Sequence, residues 1–160
     1  PRNDGSNIVD EKYNESIFVG YRWTDKEKIT PLFPFGHGLS YTSYKYGKAV
    51  IDKNIMGDDE VLTVTVPITN IGMRAGSEIV QMYISDLKSS LPRPVKELKG
   101  FSKVSLEPGE TKKVTFTINK EALSFFDDVR HEWIAEPGIF KAIIAASATD
   151  IRSSVIFEYK

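Results

Sequence analysis

From Val61 to Thr69 the chain alternates with a period of two. Leu62, Val64, Val66 and Ile68 share one face, and Val61, Thr63, Thr65 and Pro67 share the other. Only an extended strand sends every second side chain to the same side, so this run has one face for a core. The pattern recurs. Between Glu78 and Ser85, Val80, Met82 and Ile84 oppose Ile79, Gln81 and Tyr83; between Thr111 and Ile118, Val114, Phe116 and Ile118 point one way. Val95–Leu106 reads as a pair of short strands around Gly100, Glu121–Phe126 as a helical turn leading into a strand, and Glu132–Ile134, Gly138–Ala146 and Ile151–Tyr159 as the last runs. Asn70-Ile71-Gly72 and Glu107-Pro108-Gly109-Glu110 are turn signals between them. About seven short strands cut by Gly and Pro turns predict an all-β sandwich of two packed sheets. A barrel also buries one face of every strand and is the structural alternative. Pro67 lacks a donor, which places it at an edge or an irregularity. Trp133, on the short run before Glu136-Pro137-Gly138, is expected to span the space between the sheets.

Upstream of Tyr44 the alternation is absent. Pro1-Arg2-Asn3-Asp4-Gly5-Ser6-Asn7 reads as loop. Ile17–Trp23 is rich in β-branched and aromatic residues and predicts a strand. Thr24–Thr30 is charged and expected to be exposed. Pro31 and Pro34 then restrict the backbone, and Gly36 and Gly38 flank His37. Phe18, Tyr21, Trp23, Leu32, Phe33 and Phe35 have no sheet of their own. They need a surface, either the sandwich of the same chain or another domain. The chain therefore divides into a linker arm over residues 1–43, expected to pack on other domains, and a β domain over 44–160.

The 160 residues, 41% hydrophobic and 27% charged, suit one domain plus an arm. A formal net charge of −1 offers no field for nucleic acid or acidic lipid, and neither is expected as a partner. No apolar run approaches the roughly 20 residues of a membrane helix. The absence of Cys excludes disulfides, thiolate nucleophiles and Cys-based metal sites. Neither His37 nor His131 sits at a metal-ligand spacing, so no metal and no cofactor is expected, and His37 reads as a structural hydrogen-bonding residue among glycines. With 22 acidic residues, carboxylate pairs are inevitable. Asp58-Asp59-Glu60 and Asp127-Asp128 read as solvated turns.

Several longer motifs then occur in one order along nearly the whole chain. They are Leu32-Phe33-Pro34-Phe35-Gly36-His37-Gly38-Leu39-Ser40-Tyr41-Thr42, Thr69-Asn70-Ile71-Gly72 with Ala75-Gly76-Ser77-Glu78, Val80-Gln81-Met82-Tyr83, and Arg93-Pro94-Val95-Lys96-Glu97-Leu98-Lys99-Gly100-Phe101. Leu106-Glu107-Pro108-Gly109-Glu110, Leu123-Ser124-Phe125-Phe126-Asp127 and Glu136-Pro137-Gly138 follow. Each is weak alone. The ordered set resembles the C-terminal fibronectin type III-like domain, with its leading arm, of family 3 glycoside hydrolases of the β-glucosidase and β-xylosidase type. The resemblance implies an immunoglobulin/fibronectin type III-like sandwich that is one piece of an enzyme. It implies an aspartate nucleophile on a barrel domain and a glutamate acid/base on an α/β sandwich domain. No residue of this chain matches either motif, so no catalytic residue is expected here. The implied partner is that larger catalytic portion, with β-linked sugars reached through it, terminal β-D-glucosyl residues first and xylosides open, in a secreted or periplasmic setting. Where the family commonly carries Glu-Gly ahead of the arm's apolar run, this chain has Glu15-Ser16, which argues against a tight glycine turn there.

Arg22, Trp23 and Asp25 are the site candidates. Aromatic faces suit sugar C–H surfaces and guanidinium forks suit hydroxyls or carboxylates. On an arm between domains they either brace the domains or border the substrate site. Arg93-Pro94 and Lys96-Glu97 are expected to pair loop with sheet; exposed pairs of that kind contribute under ~1 kcal/mol. Two other classes compete with the hydrolase reading: an independent carbohydrate-binding module, which needs exposed aromatics, and a protein-binding sandwich. Purified alone, the chain is expected to hydrolyse neither aryl β-glucosides nor aryl β-xylosides, because glycoside hydrolysis needs two facing carboxyl groups. Turnover that stays with it after separation from every larger protein would refute this.

Overall fold

The computed structural model describes residues 13–160; the loop expected over 1–7 lies outside them. A short helix, α1 (Tyr21–Glu27), precedes the strands β1 (Tyr44–Tyr46), β2 (Val50–Ile51), β3 (Ile55–Met56), β4 (Leu62–Asn70), β5 (Gly76–Asp86), β6 (Glu97–Leu106) and β7 (Thr111–Ile118). Then follow α2 (Lys120–Leu123), β8 (Phe125–Asp127), β9 (Glu132–Ile134), β10 (Gly138–Ala145) and β11 (Ile151–Tyr159). In one sheet β4 lies between β7 and the pair β1 and β2, which take successive stretches of its other edge. The second sheet runs β3-β11-β10-β5-β6 and is antiparallel except for β3 beside β11. Leu62, Val64, Val66, Ile68 and Phe116 of the first sheet meet Val80, Met82, Ile84, Phe140 and Phe157 of the second in one buried core. A fully buried side chain of this size contributes about 1.5–3 kcal/mol, so the period-two residues carry the sandwich.

Pro67 sits in the central strand, at an irregularity. Its carbonyl accepts from Gly47 N–H at 2.8 Å, so its missing donor faces the gap between β1 and β2. A strand residue points its N–H and C=O to the same neighbour, and here that neighbour is interrupted. The pair of strands expected around Gly100 is one strand, β6. Met82 faces Gly100 and Tyr83 faces Leu98, which makes Lys99 the extra residue of a bulge. A bulge re-aims a side chain without ending the strand.

Three further expectations fail. Ile17–Trp23 is not a strand: Gly20 at φ 58° turns the chain and α1 begins at Tyr21. A seven-residue run is too short to separate a period of two from 3.6. Trp133 does not lie between the sheets. It is on β9, which pairs only with β8 in a ribbon apart from both sheets, and it is 69% exposed. The tight turn at Glu15-Ser16 does form, with Phe18 N–H on the Glu15 carbonyl at 3.0 Å and Ser16 at φ 53°.

Buried Asn70 ties three segments together. Its Oδ1 accepts from the Thr42 hydroxyl at 2.6 Å and from Gly72 N–H at 3.0 Å. Its Nδ2 donates to the carbonyls of Arg74 at 2.7 Å and Leu106 at 3.1 Å. Its backbone N–H donates to Glu110 O, and its carbonyl accepts from Gly109 N–H. Gly72 is required beside it, because a Cβ there would stand 2.2 Å from the Thr42 hydroxyl. Asn70→Ala should lower stability by about 2–3 kcal/mol in urea unfolding, since buried partners lose their bonds; a change within ~0.5 kcal/mol would show that water replaces the amide.

Candidate functional site

β5 and β10 are buried on both faces. Val80, Met82 and Ile84 enter the main core, while Tyr83, Ile143, Ala145 and Ala148 form a second cluster on the outer side of the five-stranded sheet. The arm covers that side. Tyr21 packs edge-on against Tyr83, with ring centroids 5.6 Å apart, and beside Phe35 at 5.3 Å. Its hydroxyl accepts from Leu98 N–H at 2.8 Å. Ala148 N–H donates to the Phe35 carbonyl at 2.8 Å. Gly36, at φ 79°, lies so close to Gln81 that a Cβ would stand 2.0 Å from its amide nitrogen. Tyr83 donates to the Gln81 Oε1, and burial raises its phenol pKa well above the ordinary value.

The three candidates all lie on α1, with different neighbours. Asp25 is one turn beyond Tyr21, on the same side of the helix. Its carboxylate pairs with Lys96 Nζ, and Lys96 is only 5% exposed. The same ammonium lies over the rings of Tyr83 and Tyr21, 5.7 and 5.9 Å from their centroids. Arg22 Nη2 is 3.8 Å from Glu97. Glu97 is held at 2.7 Å by Arg93, which also pairs with Asp86 at 3.1 Å, donates to the Leu123 carbonyl at 3.0 Å and lies over the Phe125 ring at 5.1 Å. Trp23 is partly exposed, with Lys26 5.6 Å from its ring. The ion pairs expected around Arg93 and Lys96 therefore exist, and they are inside the structure. Desolvation makes loss of one partner far more costly than for an exposed pair.

The acidic runs act as turns. Asp127 Oδ1 accepts from Val129 and Arg130 N–H at 2.9 and 3.1 Å, and Glu60 accepts from Gly57 N–H at 2.8 Å. Backbone donation holds both carboxyls below their ordinary pKa. Asp58 is likewise held low by the Tyr159 hydroxyl and by Lys120 at 3.1 Å. Such groups stay ionised and serve as acceptors. His37 closes a turn with its N–H on the Pro34 carbonyl at 2.9 Å, and its exposed ring lies 5.7 Å from that of Phe33. Among the described residues no group of three or more His, Cys, Asp or Glu is placed to hold a metal.

A family model described as a fibronectin type III-like domain matches residues 78–148. The chain is 55% identical over 151 residues to the beta-glucosidase BoGH3A of Bacteroides ovatus, covering 94% of this chain and 20% of that protein. It is 49% identical over 140 residues to thermostable beta-glucosidase B of Acetivibrio thermocellus, covering 88% of this chain and 18% of that one. A solved beta-glucosidase from Kluyveromyces marxianus superposes with a TM-score of 0.85 at 41% identity, over 92% of this chain and 18% of its own. The chain belongs to the fibronectin type III-like domains of family 3 glycoside hydrolases. It spans about a fifth of the length of the relatives it matches.

In this domain the clasp between arm and sandwich was not legible from sequence. Lys96 and Asp25 stand 71 positions apart, and nothing local marks either as buried. The second cluster did leave a signal: Ile139–Ala146 is apolar at nearly every position, as a strand covered on both faces should be. Lys96→Ala should lower stability by about 3–5 kcal/mol in urea unfolding, because it strands the Asp25 carboxylate. Lys96→Met combined with Asp25→Leu should recover most of that loss. A double variant as unstable as the single one would place the cost in packing.

Proposed function

We propose that this domain is the non-catalytic C-terminal portion of a β-glucosidase that hydrolyses terminal β-D-glucosyl residues, and that its arm seats the sandwich on the catalytic portion. The observation carrying this reading is the two-sided arm. Tyr21, Phe35 and Gly36 face the sandwich, while Leu32, Phe33, Leu39 and Tyr41 are 88, 71, 95 and 94% exposed. A row of large apolar side chains left in water on one short segment marks an interface. The chain covers 18–20% of relatives named as β-glucosidases, so most of such a protein is available to cover that row. A glucose complex of the Kluyveromyces marxianus relative supports the glucosyl specificity.

In this reading residues 1–43 are the linker arm and 44–160 the domain it carries. Asp25 works inward on Lys96. Arg22 and Trp23 turn toward the catalytic portion, where they brace it or border its substrate site. Neither supplies a catalytic carboxyl group, which fits the missing nucleophile and acid/base motifs.

Hydrogen exchange tests the seating. Amides of Leu32, Phe33, Leu39 and Tyr41 should be protected in the full-length enzyme and exchange fast in the 160-residue chain; equal protection in both would reject it. Phe33→Ser with Leu39→Ser should lower the melting temperature of the full-length enzyme while leaving urea unfolding of the 160-residue chain within ~0.5 kcal/mol, since exposed positions contribute little.

A further inference from the structure

Phe126 and Trp133 belong to neither core. They are register partners on the β8–β9 ribbon, with ring centroids 5.8 Å apart and planes at 66°. Trp133 divides two clefts, one of about 570 Å³ toward α1 and one of about 790 Å³ toward α2, and Lys99 lines both. The ribbon is held in place. Asp127 caps its turn through the Val129 and Arg130 N–H groups, and Glu136, just beyond β9, accepts from Ser90 N–H at 3.0 Å. Its aromatic faces are therefore presented in a fixed position at the edge of the sandwich.

The charge around the cleft toward α1 decides what could bind. Arg22, Arg93 and Lys99 line the cleft with Glu97 and Asp128, and Asp86, outside the lining, pairs with Arg93. Both guanidinium groups are already engaged by carboxylates, so an anion would have to compete with them. The Lys99 amine, aimed here by the β6 bulge, is pulled below its ordinary pKa by burial. A neutral ligand with hydroxyls for these groups and a C–H face for the indole fits better. Concave sites with an aromatic wall and a few polar groups are the usual form of a small-ligand pocket.

We propose that this cleft is an accessory subsite for a β-linked gluco-oligosaccharide, with one pyranose ring stacked on Trp133 and its hydroxyls met by Lys99 and Glu97. The choice of β-gluco linkage rests on the β-glucosidase reading; the stacking rests on the cleft. Occupancy here would hold a chain end near the enzyme without taking part in the reaction.

The chain has two tryptophans, so Trp23→Phe leaves Trp133 as the sole indole reporter. Titration of that variant with cellotetraose should give a saturable change in fluorescence. By calorimetry, Trp133→Ala should weaken cellotetraose binding at least tenfold and Lys99→Met severalfold, with the urea midpoint of Trp133→Ala unchanged. Maltotetraose should bind more weakly, and inorganic phosphate should produce no saturable signal. No saturable response to cellotetraose, equal binding by Trp133→Ala, or a response to phosphate alone would overturn the proposal. So would hydrogen exchange showing residues 125–134 more protected in the unliganded full-length enzyme than in the 160-residue chain, since the rest of the protein would then occupy the cleft. Hydrolysis of an aryl β-glucoside by the full-length enzyme separates the two readings: activity without cellotetraose binding rejects the subsite alone, and cellotetraose binding without activity rejects only the assigned reaction.

Discussion

β5 and β10 bury side chains on both faces around Tyr83 and Ile143, and a two-layer sandwich can cover only one of those faces. The rest of the molecule follows from that constraint. The facing sheet takes Val80, Met82, Ile84, Phe140 and Ile144, which leaves Tyr83, Ile143 and Ala145 on the outside. The arm must supply the missing layer, and it does so with Tyr21, Phe35 and a glycine that allows close approach to Gln81. The arm is therefore part of the domain's packing on one side, although it precedes every strand of the sandwich.

Covering the sheet in this way brings charges inside. Lys96 loses water when α1 closes over it, and Asp25 meets it from the helix. Arg93 is satisfied by Asp86, Glu97 and the Leu123 carbonyl together. Pairs of this kind add little net stability compared with apolar residues of the same shape, but an unmatched partner is strongly penalised. They fix where α1 sits more than they strengthen the fold. That placement sets the direction in which Arg22 and the outward row from Leu32 to Tyr41 face.

The surface then has two distinct features, for which different uses are proposed. The outward residues Leu32, Phe33, Leu39 and Tyr41 of the arm are large and exposed, as the proposed interface with the rest of a longer protein requires. The Phe126–Trp133 ribbon borders a charge-balanced cleft, which suits a neutral small ligand. Both lie outside the alternating strands, and both leave the sandwich core untouched.

The sequence alone determined which side chains enter the core, because a period of two sends every second residue of Leu62–Ile68, Val80–Ile84 and Val114–Ile118 to one face; that the strands form two facing sheets and not a barrel was decided by their pairing. The ordered motifs of the sequence also carried the family, since Asn70, Gly72 and Gly36 sit where a hydrogen-bonded rivet or a close approach admits few other residues. Tertiary structure alone decided the elements too short to show a period. Ile17–Trp23 became a turn and a helix because Tyr21 and Asp25, one turn apart, both dock on the sheet. Trp133 went outward because a three-residue strand pairs with its hairpin neighbour and takes no direction from the sheets. Lys96 went inward because its partner lies far along the chain. Burial of a charge depends on which distant group reaches it, and no local pattern records that.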